Sequence, residues 1–218
     1  MSGSTSTSLL IGGAGGFARE TIELAHAISD AGTPLSIVGV LDDDPGLQNT
    51  TIHGVSVLGG FEEIEHHPGA SLVLTIGNPR RYAIRQEIVD RLQLTGERYA
   101  TLIHPTTSIG RSVSIGSGTV IQAHAVATSD VRIGQHVVVM PGVVLTHDNV
   151  VEDFSTIASG TMVGGGVQIG RGAYIGAGAV IREGVLIGER AMIGMGSVVT
   201  KDVPAGETWF GVPAARRQ

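Results

Sequence analysis

From Ile103 to Val199 the chain places an apolar side chain at every sixth residue, and this spacing constrains the fold more than any other feature of its 218 residues. The series runs through Ile109, Ile115, Ile121 and onward to Ile187, Ile193 and Val199. It holds seventeen positions without an insertion, and Ala127 is the single member that is not a branched aliphatic. Small or β-branched side chains stand two residues before these positions, such as Thr119, Ala125, Val143, Ser155 or Ala173. A helix repeats every 3.6 residues and an exposed strand every two, so a period of six with two inward positions suits neither. It suits a solenoid in which each unit is one short strand and one turn. Three units close a coil of eighteen residues, and 103–203 supplies between five and six coils. Glycine follows the aliphatic at eight sites, Gly110, Gly164 and Gly194 among them, which reads as relief for the backbone at corners.

The first half has a different rhythm. Residues 8-SLLIGGAGGFARETIELAHAI-28 read as an apolar strand, a glycine-rich turn and an amphipathic helix. Gly13, Gly15 and Ala18 fit the G-x-G-x-x-G/A spacing that aims a helix N-terminus at a ligand phosphate. A second strand over 36–44 ends in acidic residues, where an open α/β sheet meets a ribose or base. A short strand and helix fill 52–64, and a third strand over 71–78 runs into a helix over roughly 79–94. About ninety residues is half of a full dinucleotide fold, which points to a mononucleotide-sized site. The domain reading is therefore a polar, disordered tail over 1–8, a Rossmann-like domain over 9–100, a β-solenoid over 101–203 and a C-terminal segment over 204–218.

Composition removes several classes of function. There is no cysteine, so disulfides, thiolate zinc sites and cysteine nucleophiles are excluded. Net charge is −6, which argues against nucleic acid. Residues 1–99 carry 12 acidic against 6 basic side chains, so an anionic ligand there depends on local backbone N–H donors and a few arginines. The apolar runs are too short for a membrane span and the polar start is unlike a signal peptide, giving a cytoplasmic expectation.

The hexapeptide tract resembles the left-handed parallel β-helix acyltransferases, and 201-KDVPAGETWFGVPAARRQ-218 resembles their C-terminal segment. A small Rossmann-like domain followed by an uninterrupted hexapeptide helix resembles the PglD-type nucleotide-sugar N-acetyltransferases and the related NeuD-type sialic-acid O-acetyltransferases. The resemblance implies a homotrimer with sites between subunits, acetyl-CoA as co-substrate, and a nucleotide-linked amino sugar as acceptor. It implies diphosphate contacts at Gly13, Ala14, Gly15 and Gly16, base or ribose contacts at Asp42 and Asp43, and a closing wall of Gly77, Asn78 and Arg80. It places acetyl-CoA against Gly165, Ala177, Gly194, Gly211 and Pro213.

One corner carries chemistry. His147 lies two residues after Leu145, in a turn and off the inward face, beside Asp148. Attack of an amine on a thioester needs a base, and a neutral imidazole suits that task at pH 7. A carboxylate can fix its tautomer and stabilise the imidazolium. By the resemblance His147 is the base, Asp148 its acidic neighbour and Gly165 the N–H donor to the oxyanion. His124 and His136 read as exposed corner residues, and no two of His104, His124, His136 and His147 have the five-residue spacing of a solenoid zinc site. Phe17, Met140 and Thr156 stand where many relatives carry histidine, asparagine and histidine, which puts the acceptor in question more than the transfer. The competing readings are O-acetylation of a sialic-acid-like or other sugar, a non-catalytic trimeric scaffold, and an oxidoreductase with an NAD site. Trp209, Arg216 and Arg217 are open between packing, solvent and CoA.

Overall fold

The computed structural model describes residues 7–77 and 84–217; Asn78 and Arg80 lie outside them. The first strand, β1 (Thr7–Gly12), begins two residues inside the stretch read as a tail. Its Leu9, Leu10 and Ile11 are all fully buried, the continuous apolar run of a strand covered on both faces. Leu9 and Ile11 join one core with α1 (Gly16–Asp30), while Leu10 joins another on the opposite face. Helix α1 buries Ala18, Thr21, Ile22 and Ala25, one stripe at helical spacing.

The sheet continues through β2 (Leu35–Leu41), β3 (Thr51–Ile52), β4 (Val55–Gly59) and β5 (Ala70–Leu74), in the order β3-β4-β2-β1-β5. All pairs are parallel except β3 with β4. The second helix, α2 (Ile84–Leu92), packs Ile88 on the face away from α1.

The solenoid follows the six-residue rhythm throughout. Seventeen two-residue strands run from Leu102–Ile103 to Val198–Val199, and up to Val180–Ile181 each pairs in parallel with the strand eighteen residues on. Three parallel sheets form the faces of a triangular coil. The first face holds Leu102, Val120, Val138, Thr156 and Tyr174 as outward residues; the second holds Val126, Val144, Met162, Val180 and Val198; the third holds Arg132, Val150, Gln168 and Leu186. The inward residue of each strand builds the axial core. The α/β domain sits on the first face, and Leu102 and Val120 share a core with Leu9 and Ile22.

Two expectations are corrected. The glycines after the aliphatics do not take the left-handed conformation; that falls two residues later, at Gly142, Gly166 and Gly184 for example. The first set is small for another reason: a Cβ at Gly164 would stand 2.6 Å from the Glu183 nitrogen of the next coil. His136 is not an exposed corner residue. It is 2 % exposed, stacked on Phe154 with centroids 5.1 Å apart and edge-on to Tyr99 at 4.5 Å. The α/β domain covers this corner, which period alone does not reveal. His124 is exposed as expected.

The chain ends in a hairpin of Thr208–Gly211 with Ala214–Arg216, its first strand paired on Met192–Ile193. Trp209 packs on the solenoid core and its indole N–H donates to Glu207 at 2.8 Å. Arg216 pairs with the same Glu207 at 3.2 Å.

Candidate active site

The C-terminal ends of β1, β2 and β5 open onto a cavity of about 770 Å³ whose far wall is the first face of the solenoid. This is the crevice where open parallel sheets bind ligands, and its volume suits a ligand of nucleotide-sugar size. Gly13, Ala14, Gly15, Gly16, Asp42, Asp43 and Gly77 all line it. Gly13 needs to be glycine: its φ is +102° and a Cβ would meet Ile76 at 2.8 Å. No side chain caps α1 and no acidic residue stands in its first turn. Its first N–H groups and dipole are therefore left for an anion.

The two aspartates are already engaged. One oxygen of Asp42 accepts the Ala14 N–H at 2.8 Å and the other accepts the Asp44 N–H at 3.0 Å, which braces the glycine turn. Asp43 accepts the Phe61 N–H at 3.1 Å and pairs with Arg91 at 2.8 Å.

The solenoid wall consists of Val138, Met140, Thr156, Ala158 and Tyr174. Phe17, Met140 and Thr156, the three departures from the relatives' pattern, therefore share one cavity. The Thr156 hydroxyl accepts from Arg85 at 2.9 Å. Arg85, in the first turn of α2, is fully buried and also donates to the carbonyls of Ile76 (2.6 Å), Phe154 (2.6 Å), Ser155 and His136 (both 3.2 Å). Burial lowers its pKa to about 10, so it remains a cation at neutral pH. It ties both walls of the cavity together, a role the sequence reading did not assign.

The chemical corner lies elsewhere. His147 projects from the turn between the second and third faces, and its Nδ1 stands 2.8 Å from Asp148. Asp148 has φ 59°, a left-handed position that Gly166 and Gly184 occupy on the following coils; aspartate is one of the few side chains at ease there. The ring lies over Gly165, where a Cβ would collide with its Cε1 and Nε2. The Gly165 N–H donates to no group among the described residues.

This corner is the vertex opposite the first face. One six-residue side of the coil spans at most about 20 Å, so the vertex lies on the order of 15 Å from the cavity wall. One chain therefore does not bring His147 to its own cavity. The acetyl-CoA candidates are divided too: Gly165 lies on the His147 edge, Ala177 and Gly194 follow strands of the first face at the edge it shares with the second, and Gly211 and Pro213 belong to the terminal hairpin. Among the described residues, no group of three or more His, Cys, Asp or Glu is placed to hold a metal ion. None of the described helices is long and apolar enough to cross a membrane.

A left-handed hexapeptide solenoid with a His147–Asp148 corner and an attached Rossmann-like α/β domain defines the class, a hexapeptide-repeat acyltransferase. Residues 8–92 match the PglD N-terminal domain, and 150–183 and 166–201 match the bacterial transferase hexapeptide (six repeats). WeeI from Acinetobacter baumannii is similar at 30% identity and TM-score 0.84, covering 97% of this chain and 100% of that one. The acetyltransferase domain of PglB from Neisseria gonorrhoeae is similar at 28% identity and TM-score 0.86, with 97% and 100% covered. Perosamine N-acetyltransferase from Caulobacter crescentus, solved as a histidine-to-asparagine variant with CoA and GDP-perosamine, is similar at 27% identity and TM-score 0.85, with 97% of each chain covered. No curated protein matches the chain in sequence. The chain belongs to the PglD-type sugar acetyltransferases of the left-handed β-helix superfamily.

Proposed function

We propose that the chain transfers the acetyl group of acetyl-CoA to the amino group of a nucleotide-linked amino-deoxy sugar, directly and with His147 as general base. The nucleotide diphosphate sits against the free N-terminus of α1, and the sugar extends along Val138, Met140, Thr156 and Tyr174. The amine nitrogen attacks the thioester carbon while Nε2 of His147 takes a proton from it. Asp148 steadies the imidazolium through Nδ1. The Gly165 N–H receives the oxyanion, which collapses and expels the CoA thiolate; the imidazolium returns its proton to the sulfur. The carrying observation is this corner, where an imidazole held at 2.8 Å by a carboxylate overlies a glycine with an uncommitted N–H.

The homotrimer belongs to the same proposal. A base on the vertex opposite the acceptor cavity is useful only if a neighbouring copy presents its own cavity to it. The second face supplies a seam for that packing: its outward column is Val126, Val144, Met162, Val180 and Val198, with Met162 and Val180 45% and 44% exposed. A closed three-fold arrangement buries this stripe at its centre and sets the His147 edge of one copy against the first-face edge of the next. The cytoplasm, which supplies both substrates, is its place of action.

The test is thiol release from acetyl-CoA with GDP-perosamine and with UDP-, GDP- and dTDP-linked 4-amino sugars. One acceptor should support release, and His147→Ala should lower the rate by roughly 10²–10⁴ while the trimer persists. Full activity in His147→Ala, or no acceptor-dependent release across the panel, would overturn the proposal. Product that survives mild alkali separates an amide from an ester.

A further inference from the structure

We propose that Asn149 is a positioning residue: from inside the coil it turns the Gly164–Gly165 peptide so that the Gly165 N–H faces the acetyl group at the His147 corner. This rests on the transfer reading above.

Asn149 is fully buried, in an inward column where Val131, Val167 and Val185 stand on the neighbouring coils. Its Nδ2 donates to the Gly164 carbonyl at 2.7 Å, while its Oδ1 is buried without a partner. Stranding an amide oxygen in an aliphatic core is costly, so packing does not account for the amide. The Gly164 C=O and the Gly165 N–H belong to one planar trans peptide, and the two groups point in opposite directions. Holding the carbonyl inward therefore sets the N–H outward, on the side where the His147 ring lies over Gly165.

Two other corners show what such an N–H does where a carboxylate is at hand. Thr119 holds the Gly134 carbonyl at 2.8 Å, and the next N–H, of Gln135, donates outward to Asp153 at 2.8 Å. Ser155 holds the Gly170 carbonyl at 2.9 Å, and the next N–H, of Arg171, donates to Glu152 at 2.9 Å. In both, an inward side chain fixes the carbonyl and a carboxylate caps the N–H outside. At Gly165, as at Ala177 after the Gly176 carbonyl held by Thr161, the outward N–H has no protein oxygen among the described residues, and at Gly165 an imidazole lies over it. An oxyanion developing on the thioester carbonyl can take that place.

Asn149→Val tests the role, because valine is the residue of the adjacent coils and it removes the donor and the stranded oxygen together. With the acceptor that supports thiol release, kcat should fall about 10–100-fold, short of the loss seen when an oxyanion donor is deleted outright. KM for both substrates should stay within about two-fold, and Tm within about 3 °C of the parent. Asn149→Thr keeps a donor of the kind that holds the Gly134 carbonyl and should retain kcat within about three-fold. A valine variant with parental kcat would overturn the proposal. So would equal impairment of the valine and threonine variants, or a loss that tracks a fall in Tm. If the valine variant does not fold, Asn149→Ala against Asn149→Thr decides by the same criteria. A parent enzyme with no acceptor-dependent release refutes the transfer reading itself; an active parent with an indifferent Asn149 refutes only the positioning role.

Discussion

Acid should loosen this protein through His136, by an amount that follows from its surroundings. The ring is 2 % exposed between Phe154 and Tyr99, its Nδ1 has no partner, and Arg85 and Arg171 stand nearby. Burial first, and the field of Arg85 second, lower its pKa from 6.5 to about 4; Asp153 acts in the opposite sense and Arg171 in the same. A base with a depressed folded-state pKa binds fewer protons folded than unfolded. Its neutral form supports the fold above pH 6.5, and that support is lost as pH falls towards 4. A shift of about 2.5 units corresponds to about 3 kcal/mol across that window. Carboxylates also titrate there, so the contribution is isolated with His136→Phe. Phe154 already holds the equivalent corner position one coil on, at φ 61° against 53° for His136. Urea unfolding of both proteins at one protomer concentration, from pH 7 to pH 4, gives the difference directly. The parent should lose about 3 kcal/mol more than the phenylalanine variant over this range. A differential loss below about 0.5 kcal/mol, or one of opposite sign, would refute the assignment of a buried neutral imidazole.

Three further outcomes follow from the site. Gly165→Ala should fold normally, since its φ is not in the left-handed region, but its Cβ displaces the His147 ring; kcat should fall at least about 10²-fold with the circular dichroism spectrum unchanged. Thr156→Val removes the hydroxyl held by Arg85 at the cavity wall and should lower kcat/KM for the acceptor about ten-fold with KM for acetyl-CoA unchanged, whereas Thr156→Ser should recover it. Val180→Glu places a charge in the exposed apolar column of the second face; on the proposed trimer, light scattering should show a smaller assembly, and activity should disappear with it because each proposed site takes groups from two copies.

The physical division between sequence and structure runs along the chain's own geometry. Local rules are enough for a solenoid: each six-residue unit carries its own inward aliphatic and its own turn, so strands from Leu102–Ile103 to Val198–Val199 fall where the period puts them. The glycine turn before α1 and the turn position of His147 beside Asp148 are equally local, and both were legible. Asn149 left a readable sign, a polar residue in a column of valines at eighteen-residue spacing, but only the coil shows which carbonyl it holds. The same holds for Thr156 and Tyr174, which line the cavity because the α/β domain packs on the first face. Which of three equivalent corners a domain covers depends on contacts between residues far apart in the chain. Arg85 reads as one more helix arginine until its guanidinium reaches carbonyls some seventy residues away. His136 reads as a surface turn until that domain closes over it. Period and turn chemistry determine the coil; only tertiary packing determines that the cavity beneath the α/β domain and the His147 corner lie on opposite sides of it.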